Sequence, residues 1–329
     1  MRAMQITELS GPETALSIAE IPEPDPSHFM TPGEGVVIEV EAAGVSFPEV
    51  LQSRGEYQMK PELPFVPGSE VAGTVRVSSE GSPFEPGDRV LGFCVLGGFA
   101  EVAVAPLAMT FALPDELDFA QGAALVLNYH TAYFSLVTRG GLSEGETVLV
   151  HGAAGGVGSA TLQVAKGLGA RTIAVVSSDE KEAVARELGA DEVVRSDRSW
   201  KDDARELTGG RGVDVVVDPV GGDRFTDSLR ALSRGGRLVV VGFTAGSIPE
   251  VKVNRLLLGN TSVVGAAWGE YLIGGQLAYG KVAGEEIAKL IAGGHIKPLV
   301  GARFALEDAA QALQLIDDRG ATGKVVLEP

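Results

Sequence analysis

Between residues 35 and 106, apolar residues fall in short runs broken by glycine and proline: GVVIEVEAAG, SEVAGTVRV, GDRVLGF and GGFAEVAVA. Apolar and polar positions partly alternate within them, the period of half-buried strands. The pattern predicts a β-rich, barrel-like antiparallel fold over residues 1–125. From 126 to 267 the texture changes. ETVLVHG, ARTIAVVS, ADEVVR, VDVVVDPV, GRLVVVGF and TSVVGAAW are nearly continuous runs of Val, Ile and Leu, separated by helical stretches. Strands covered on both faces read this way, so six of them predict an α/β fold with a doubly wound parallel sheet. Residues 268–329 hold two helical patterns, GEEIAKLIAGG and LEDAAQALQLIDD. The short strands LVGARFAL and GKVVLEP flank the second. This tail is expected to fold back on the first region and complete it.

Between the strand VLVHG and the helix GVGSATLQVAKGLGA lies a turn made of Gly and Ala, with Gly152, Gly155 and Gly158 three residues apart. Such a turn offers free amides and the positive end of a helix dipole, which together attract a phosphate. Without side chains, Gly155 and Gly156 let a pyrophosphate approach the backbone. Gly158 lets the helix lie against the strand. The turn predicts dinucleotide binding. His151 reads as a packed strand-end residue rather than a catalyst.

Charge sharpens that reading. The 329 residues carry a formal net charge of −17. Such a field repels nucleic acid and anionic membranes, and it opposes an anionic cofactor as well. A phosphate site must therefore be local, built from backbone amides and a few cations. No apolar run reaches the length of a membrane span, and MRAMQITELSGPE turns polar too early for a signal peptide. A cytoplasmic protein is expected. The single cysteine, Cys94, lies in the apolar VLGFCVLGG, where a buried core thiol is expected. One cysteine and four scattered histidines give no zinc-ligand cluster.

The second strand of the sheet, RTIAVV, ends in Ser177 and Ser178, with Lys181 one helical turn on. NAD-selective sites place an acidic residue there for the ribose 2′-hydroxyl. Two hydroxyls and a lysine suit a 2′-phosphate, so NADPH is the expected cofactor. The alternative use of these residues is local: Ser177 and Glu180 as a helix capping box.

Taken together, VLVHGAAGGVGSATLQVAKGLGA, ELGADEVV, VDPVGG, GGRLVVVGF and GVSFPEVLQSRGEYQMKPELPFVPGSEVAG resemble the zinc-independent quinone oxidoreductases of the medium-chain dehydrogenase/reductase superfamily. The likeness runs nearly end to end. It implies a GroES-like catalytic domain, completed by the tail, and a Rossmann domain. It implies that Ala154, Gly155, Gly156 and Val157 surround the pyrophosphate, and that Ser177 and Lys181 face the 2′-phosphate. Gly242, Phe243 and Thr244 would lie along the nicotinamide half, Thr131 beside the ring, and Ala267 and Trp268 at the carboxamide. Lys324 would approach the cofactor from the tail. Zinc-dependent relatives place a Cys and a His where this chain has Ser46 and Ser69, which implies no metal. Relatives with an aromatic or histidine near the adenosine differ here, where VVRSDRS offers Arg195 and Arg198 around Ser196. The likeness also implies a homodimer paired edge to edge through TSVVGAAW.

For the chemistry, the cofactor supplies hydride and the protein supplies orientation and a place for negative charge. Tyr57 in SRGEYQMKP is the expected proton or hydrogen-bond donor, because related enoyl-thioester reductases carry a tyrosine there. Ser46 replaces the asparagine usual in the family. The expected activity is NADPH-dependent reduction of quinones or α,β-unsaturated carbonyl compounds. Two alternatives stand beside it: an enoyl-thioester reductase, for which Arg54 and Lys60 near Tyr57 would form a basic entrance, and a non-catalytic NADPH-binding protein.

Overall fold

A computed structural model describes all residues, 1–329, in two compact units. The first unit comprises residues 1–127, 275–282 and 298–329. Its strands are β1 (Arg2–Ile6), β2 (Leu16–Glu20), β3 (Gly35–Val45), β4 (Glu70–Ser78), β5 (Arg89–Phe93), β6 (Val102–Pro106) and β7 (Thr110–Ala112). The second unit holds β8 (Thr147–His151), β9 (Arg171–Val176), β10 (Glu192–Arg195), β11 (Val213–Asp218), β12 (Leu232–Val240) and β13 (Ser262–Gly265). Two strands of the tail, β14 (Val300–Ala305) and β15 (Lys324–Glu328), return to the first unit.

In the first unit, β1 and β2 form an antiparallel pair, which the sequence pattern left unread. The main sheet runs β14-β15-β3-β4-β5-β7, with β6 paired to β3. The eleven-residue β3 is its spine, buried at all but two positions. It pairs β4 on one side, and β6 and then β15 along the other. Ile38, Val71, Val90, Phe99 and Ala103 form the core with Leu313 and Leu327 from the tail. Both tail strands lie in this unit's main sheet.

The second unit carries a six-stranded parallel sheet in the order β10-β9-β8-β11-β12-β13. This is the doubly wound order of dinucleotide-binding folds, in which ligands bind beyond the carboxyl ends of the strands. Its strands are near-continuous apolar runs because helices cover both faces. Leu149, Ile173, Val216 and Leu238 from four strands pack with Trp200, Phe225 and Leu229.

Residues 283–297, with the helical pattern GEEIAKLIAGG, belong to the second unit. A side-chain clamp ties their end to the helix Gly156–Gly167. Gln163 Nε2 donates to the Lys297 carbonyl at 3.0 Å, and the Lys297 amide donates to Gln163 Oε1 at 2.7 Å.

Candidate functional site

The glycine turn leads from β8 directly into the helix Gly156–Gly167. Gly155 is the N-cap and brings no side-chain cap, so the first amides of the helix lack an intrahelical acceptor. Residues 155–157 are partly exposed, while Gly158 is buried. A Cβ on Gly158 would stand 2.1 Å from the Gly152 carbonyl oxygen and 2.8 Å from the Ala153 Cα. Only glycine permits this approach of helix to turn. A Cβ on Gly155 would meet nothing nearer than 3.4 Å. The turn thus leaves bare backbone open where an anion would sit, the arrangement favoured by helix N-terminal amides.

The other expected cofactor residues of this unit follow the same edge. Ser177 follows β9, Gly242 to Thr244 follow β12, and Ala267 and Trp268 follow β13. All lie past carboxyl strand ends. The Thr244 amide donates to the Pro219 carbonyl at 3.2 Å, tying the turn after β12 to the turn after β11. Trp268 is buried, with its ring 5.4 Å from that of His130. Thr131 is buried in the helix Val126–Tyr133.

The cap after β9 is Ser178, not Ser177: its Oγ accepts from the Lys181 amide at 3.2 Å. The capping-box alternative for Ser177 and Glu180 is thereby corrected. Ser178 sits in the extended conformation a cap needs, and Ser177 stays exposed. Arg195 ends β10. Its guanidinium donates to the Ser177 carbonyl at 3.1 Å and pairs with Asp179. Its position beside the end of β9 depends on the parallel register Arg195↔Val176, which no local motif announces.

His151 is fully buried, 2.8 Å from Ser228 Oγ and edge-on to Trp200. Burial holds its imidazole down to about 4, so it packs as a neutral ring. Cys94 is buried, and burial pushes its thiol upward, away from reactivity.

In the first unit, a cluster of five polar side chains collects around the ends of β3, β4 and β15. Ser46 caps the helix Phe47–Ser53, and its amide donates to Glu49 Oε2 at 3.0 Å. Glu49 Oε1 lies 2.6 Å from Ser69 Oγ, just before β4. Lys324, the first residue of β15, donates to Ser46 Oγ at 2.6 Å and to Glu70 Oε1. The Leu127 amide donates to Glu70 Oε2 at 2.7 Å. Gly44 makes this possible, because a Cβ there would stand 2.6 Å from Lys324 Cε and 2.7 Å from Glu70 Cγ. Burial, the largest influence on Glu49, raises its carboxyl above the usual range, opposed by the Ser69 hydrogen bond and the Lys324 charge.

Lys324, expected to approach the cofactor from the tail, is 2% exposed and held by Ser46 and Glu70. The expectation for Arg54 is corrected. Arg54 pairs in fork fashion with Asp317, so it does not add a free charge beside Lys60. Tyr57 lies half-buried in the loop after the helix Phe47–Ser53.

A doubly wound sheet with a bare glycine turn on its carboxyl edge, in one chain with a GroES-like β unit, defines an oxidoreductase of the medium-chain dehydrogenase/reductase superfamily. Residues 32–115 match the alcohol dehydrogenase GroES-like domain, and 156–279 match the zinc-binding dehydrogenase family. The quinone oxidoreductase of Rattus norvegicus is 37% identical over 99% of this chain and 97% of its own. A probable oxidoreductase from Mycobacterium abscessus is 46% identical, with TM-score 0.88 over 100% of this chain and 99% of its own. The Escherichia coli quinone oxidoreductase complexed with NADPH is 30% identical, with TM-score 0.89 over the full length of both chains. The chain belongs to the quinone oxidoreductase family and is an oxidoreductase.

The name of the second matched family raises the question of zinc. Zinc takes thiolate, imidazole or carboxylate ligands. Where zinc-dependent relatives hold a Cys and a His, this chain presents the hydroxyls of Ser46 and Ser69, with the Lys324 ammonium hydrogen-bonded to the first. That set does not fit a zinc ion.

Proposed function

We propose that the chain is an NADPH-dependent oxidoreductase that reduces quinones or related α,β-unsaturated carbonyl compounds without a metal. The carrying observation is the carboxyl edge of the six-stranded sheet. There the open amides around Ala154, Gly155, Gly156 and Val157 meet the pyrophosphate, with Gly242, Phe243, Thr244, Thr131, Ala267 and Trp268 serving the nicotinamide half. Ser177, Lys181 and Arg195 take the 2′-phosphate. The guanidinium of Arg195, set against the Ser177 carbonyl, is a second cation for that role. The bound cofactor supplies hydride. The chain's residues orient the acceptor and hold its oxygen, with Tyr57 and Ser46 as donors.

The pairing of Arg54 with Asp317 argues against an enoyl-thioester substrate, which needs a basic entrance for its phosphates. Steady-state NADPH oxidation against a quinone panel and an enoyl-CoA panel tests the reading. Quinone turnover with little enoyl-CoA turnover supports it, the reverse promotes the thioester substrate, and neither leaves a binding protein.

A homodimer is part of the same proposal. β13 is an edge strand, and before it Ile248, Val253, Leu257 and Leu258 are each more than 70% exposed. Apolar surface of this kind beside an open sheet edge favours pairing with a second copy. Light scattering that finds monomer at micromolar concentration rejects it. No helix is long and apolar enough to cross a membrane, and we place the protein in the cytoplasm.

A further inference from the structure

The motif VDPVGG, residues 217–222, takes no part in the cofactor site described above. It ends β11 and then turns at Gly221 and Gly222, whose φ angles of 66° and 70° suit glycine. This turn lies between two others on the carboxyl edge of the same sheet. On one side is the glycine turn: a Cβ on Gly152 would stand 3.2 Å from Val220 Cγ2 and 3.9 Å from Pro219 Cγ. On the other is the turn after β12. There the Thr244 amide donates to the Pro219 carbonyl at 3.2 Å, and the Ala245 amide to the Val220 carbonyl at 2.9 Å. A Cβ on Gly221 would meet the Phe243 ring at 2.8 Å. Residues 219–222 are thus a wedge between the two turns.

One side chain holds this wedge from inside. Asp218, the last residue of β11, is 1% exposed. Its Oδ1 accepts the Val220 amide at 2.8 Å and the Gly221 amide at 2.9 Å. Its carbonyl accepts the Val241 amide at 2.9 Å, so the same residue anchors the start of the turn after β12. Without the carboxylate, the amide of buried Gly221 would be a donor with no partner, which is the costly case. The turn would move to satisfy it, and the carbonyls of Pro219 and Val220 would carry Thr244 and Ala245 along. Oδ2, by contrast, is buried and has no hydrogen-bond partner. It takes no part in holding the turn.

We propose that Asp218 is a positioning residue for the cofactor. Through the wedge at residues 219–222 it sets the spacing between the glycine turn, which takes the pyrophosphate, and residues 242–244, which take the nicotinamide half. This deepens and rests on the NADPH reading above. Asp218 is sealed from solvent and acts only through the turns it holds. The two seats follow different strands, β8 and β12, and β11 lies between them in the sheet. A dinucleotide is one ligand bound at both seats. Its joined halves reinforce each other only when the geometry lets both engage at once. An error in the spacing therefore lowers the affinity of the whole molecule while leaving either half alone unaffected.

That distinction separates positioning from simple support of the fold. 2′,5′-ADP carries the adenosine, the 2′-phosphate and a 5′-phosphate but no nicotinamide. It needs the end of β9 and the glycine turn only. Loosening the wedge weakens NADPH and spares 2′,5′-ADP, whereas loss of general support weakens both alike. Asp218→Ala removes the acceptor of both amides. Asp218→Asn keeps one oxygen for them and changes only the atom that bonds to nothing.

The test titrates both ligands, NADPH by its nicotinamide fluorescence and 2′,5′-ADP by calorimetry. Asp218→Ala is expected to raise the NADPH Kd about tenfold, the scale of one or two lost hydrogen bonds, and to move the 2′,5′-ADP Kd by less than about twofold. Asp218→Asn is expected to stay within about threefold of wild type for both ligands. Equal losses for the two ligands, an unchanged NADPH Kd, or an Asn variant as weak as the Ala variant overturns the positioning role. Val220→Ala decides the case in which Asp218→Ala does not fold. It leaves Asp218 and its two amides in place and trims the side chain that lies beside Gly152. The expected result is an NADPH Kd raised about threefold, the scale of one lost methyl contact, with 2′,5′-ADP unchanged. No change for NADPH there overturns the wedge. Amide hydrogen exchange without ligand tests the coupling of the turns separately. Asp218→Ala is expected to speed exchange at Val220 and Gly221 and, through them, at Thr244 and Ala245. Faster exchange confined to Val220 and Gly221 overturns the coupling. A wild type that binds neither ligand refutes the NADPH reading, while the exchange pattern still decides whether Asp218 couples the turns.

Discussion

Replacing Lys324 with Met removes one charge from a pair whose side chains are only 2% and 0% exposed, and keeps most of the side-chain volume. The Glu70 carboxylate would keep one donor, the Leu127 amide, and lose its counter-ion. Breaking a buried pair from one side costs about 3–5 kcal/mol, because an uncompensated charge stays behind. Adding Glu70→Gln removes that charge, so the double variant should recover about 2–3 kcal/mol, the coupling range of residues in contact. Tryptophan fluorescence is a poor assay, because Trp200 and Trp268 both lie in the second unit. Amide hydrogen exchange in β3, β4 and β15 reports the right region. There Lys324→Met should speed exchange of the slowest amides by about two to four decades, at 1.4 kcal/mol per decade. Loss of less than about 1 kcal/mol, or no recovery in the double variant, would refute the account of a desolvated ion pair.

Other perturbations separate the remaining claims. Gly158→Ala should weaken NADPH binding and destabilise the second unit, since its Cβ would collide with the Gly152 carbonyl at 2.1 Å; an unchanged Kd by fluorescence titration would contradict the tight turn. Lys181→Ala should lower NADPH affinity by about one to two decades, the scale of a lost charge-assisted contact, and leave NADH nearly unchanged. Equal losses for both cofactors would make the lysine structural. His151 stays neutral down to about 4 in the fold but takes a proton near 6.5 when unfolded, so stability should fall as pH drops through that window. The slope amounts to about 3 kcal/mol in full, and a denaturation series in which His151→Gln keeps the same slope would refute its buried neutral state. Tyr57→Phe should cut enone kcat by about 10²-fold and barely affect a quinone, whose product anion is already stable; equal effects on both would remove Tyr57 as the donor.

What the sequence revealed and what it hid divide along range. The parallel sheet was legible because each strand is a local β-branched run, and the glycine turn because its spacing is itself the signal. The helix Phe47–Ser53 went unread although Ser46 and Glu49 spell a capping box, because seven residues give too short an apolar period. The surroundings of Lys324 were hidden. Its partners Ser46 and Glu70 lie 278 and 254 residues away, and only the pairing of β15 with β3 brings them together. Nothing in the triplets FPE and GSE announces that Glu49 and Glu70 are buried. Ser178 took the cap from Ser177 by one residue, a distinction that depends on where β9 ends.

The proposed reaction is hydride transfer from NADPH to a quinone or enone without a metal. Its most direct test is the initial rate of NADPH oxidation with 9,10-phenanthrenequinone, measured on protein dialysed exhaustively against a strong chelator and compared with untreated and zinc-supplemented protein. The account predicts the same rate in all three. A chelated enzyme that is inactive and regains its rate only with zinc would contradict it.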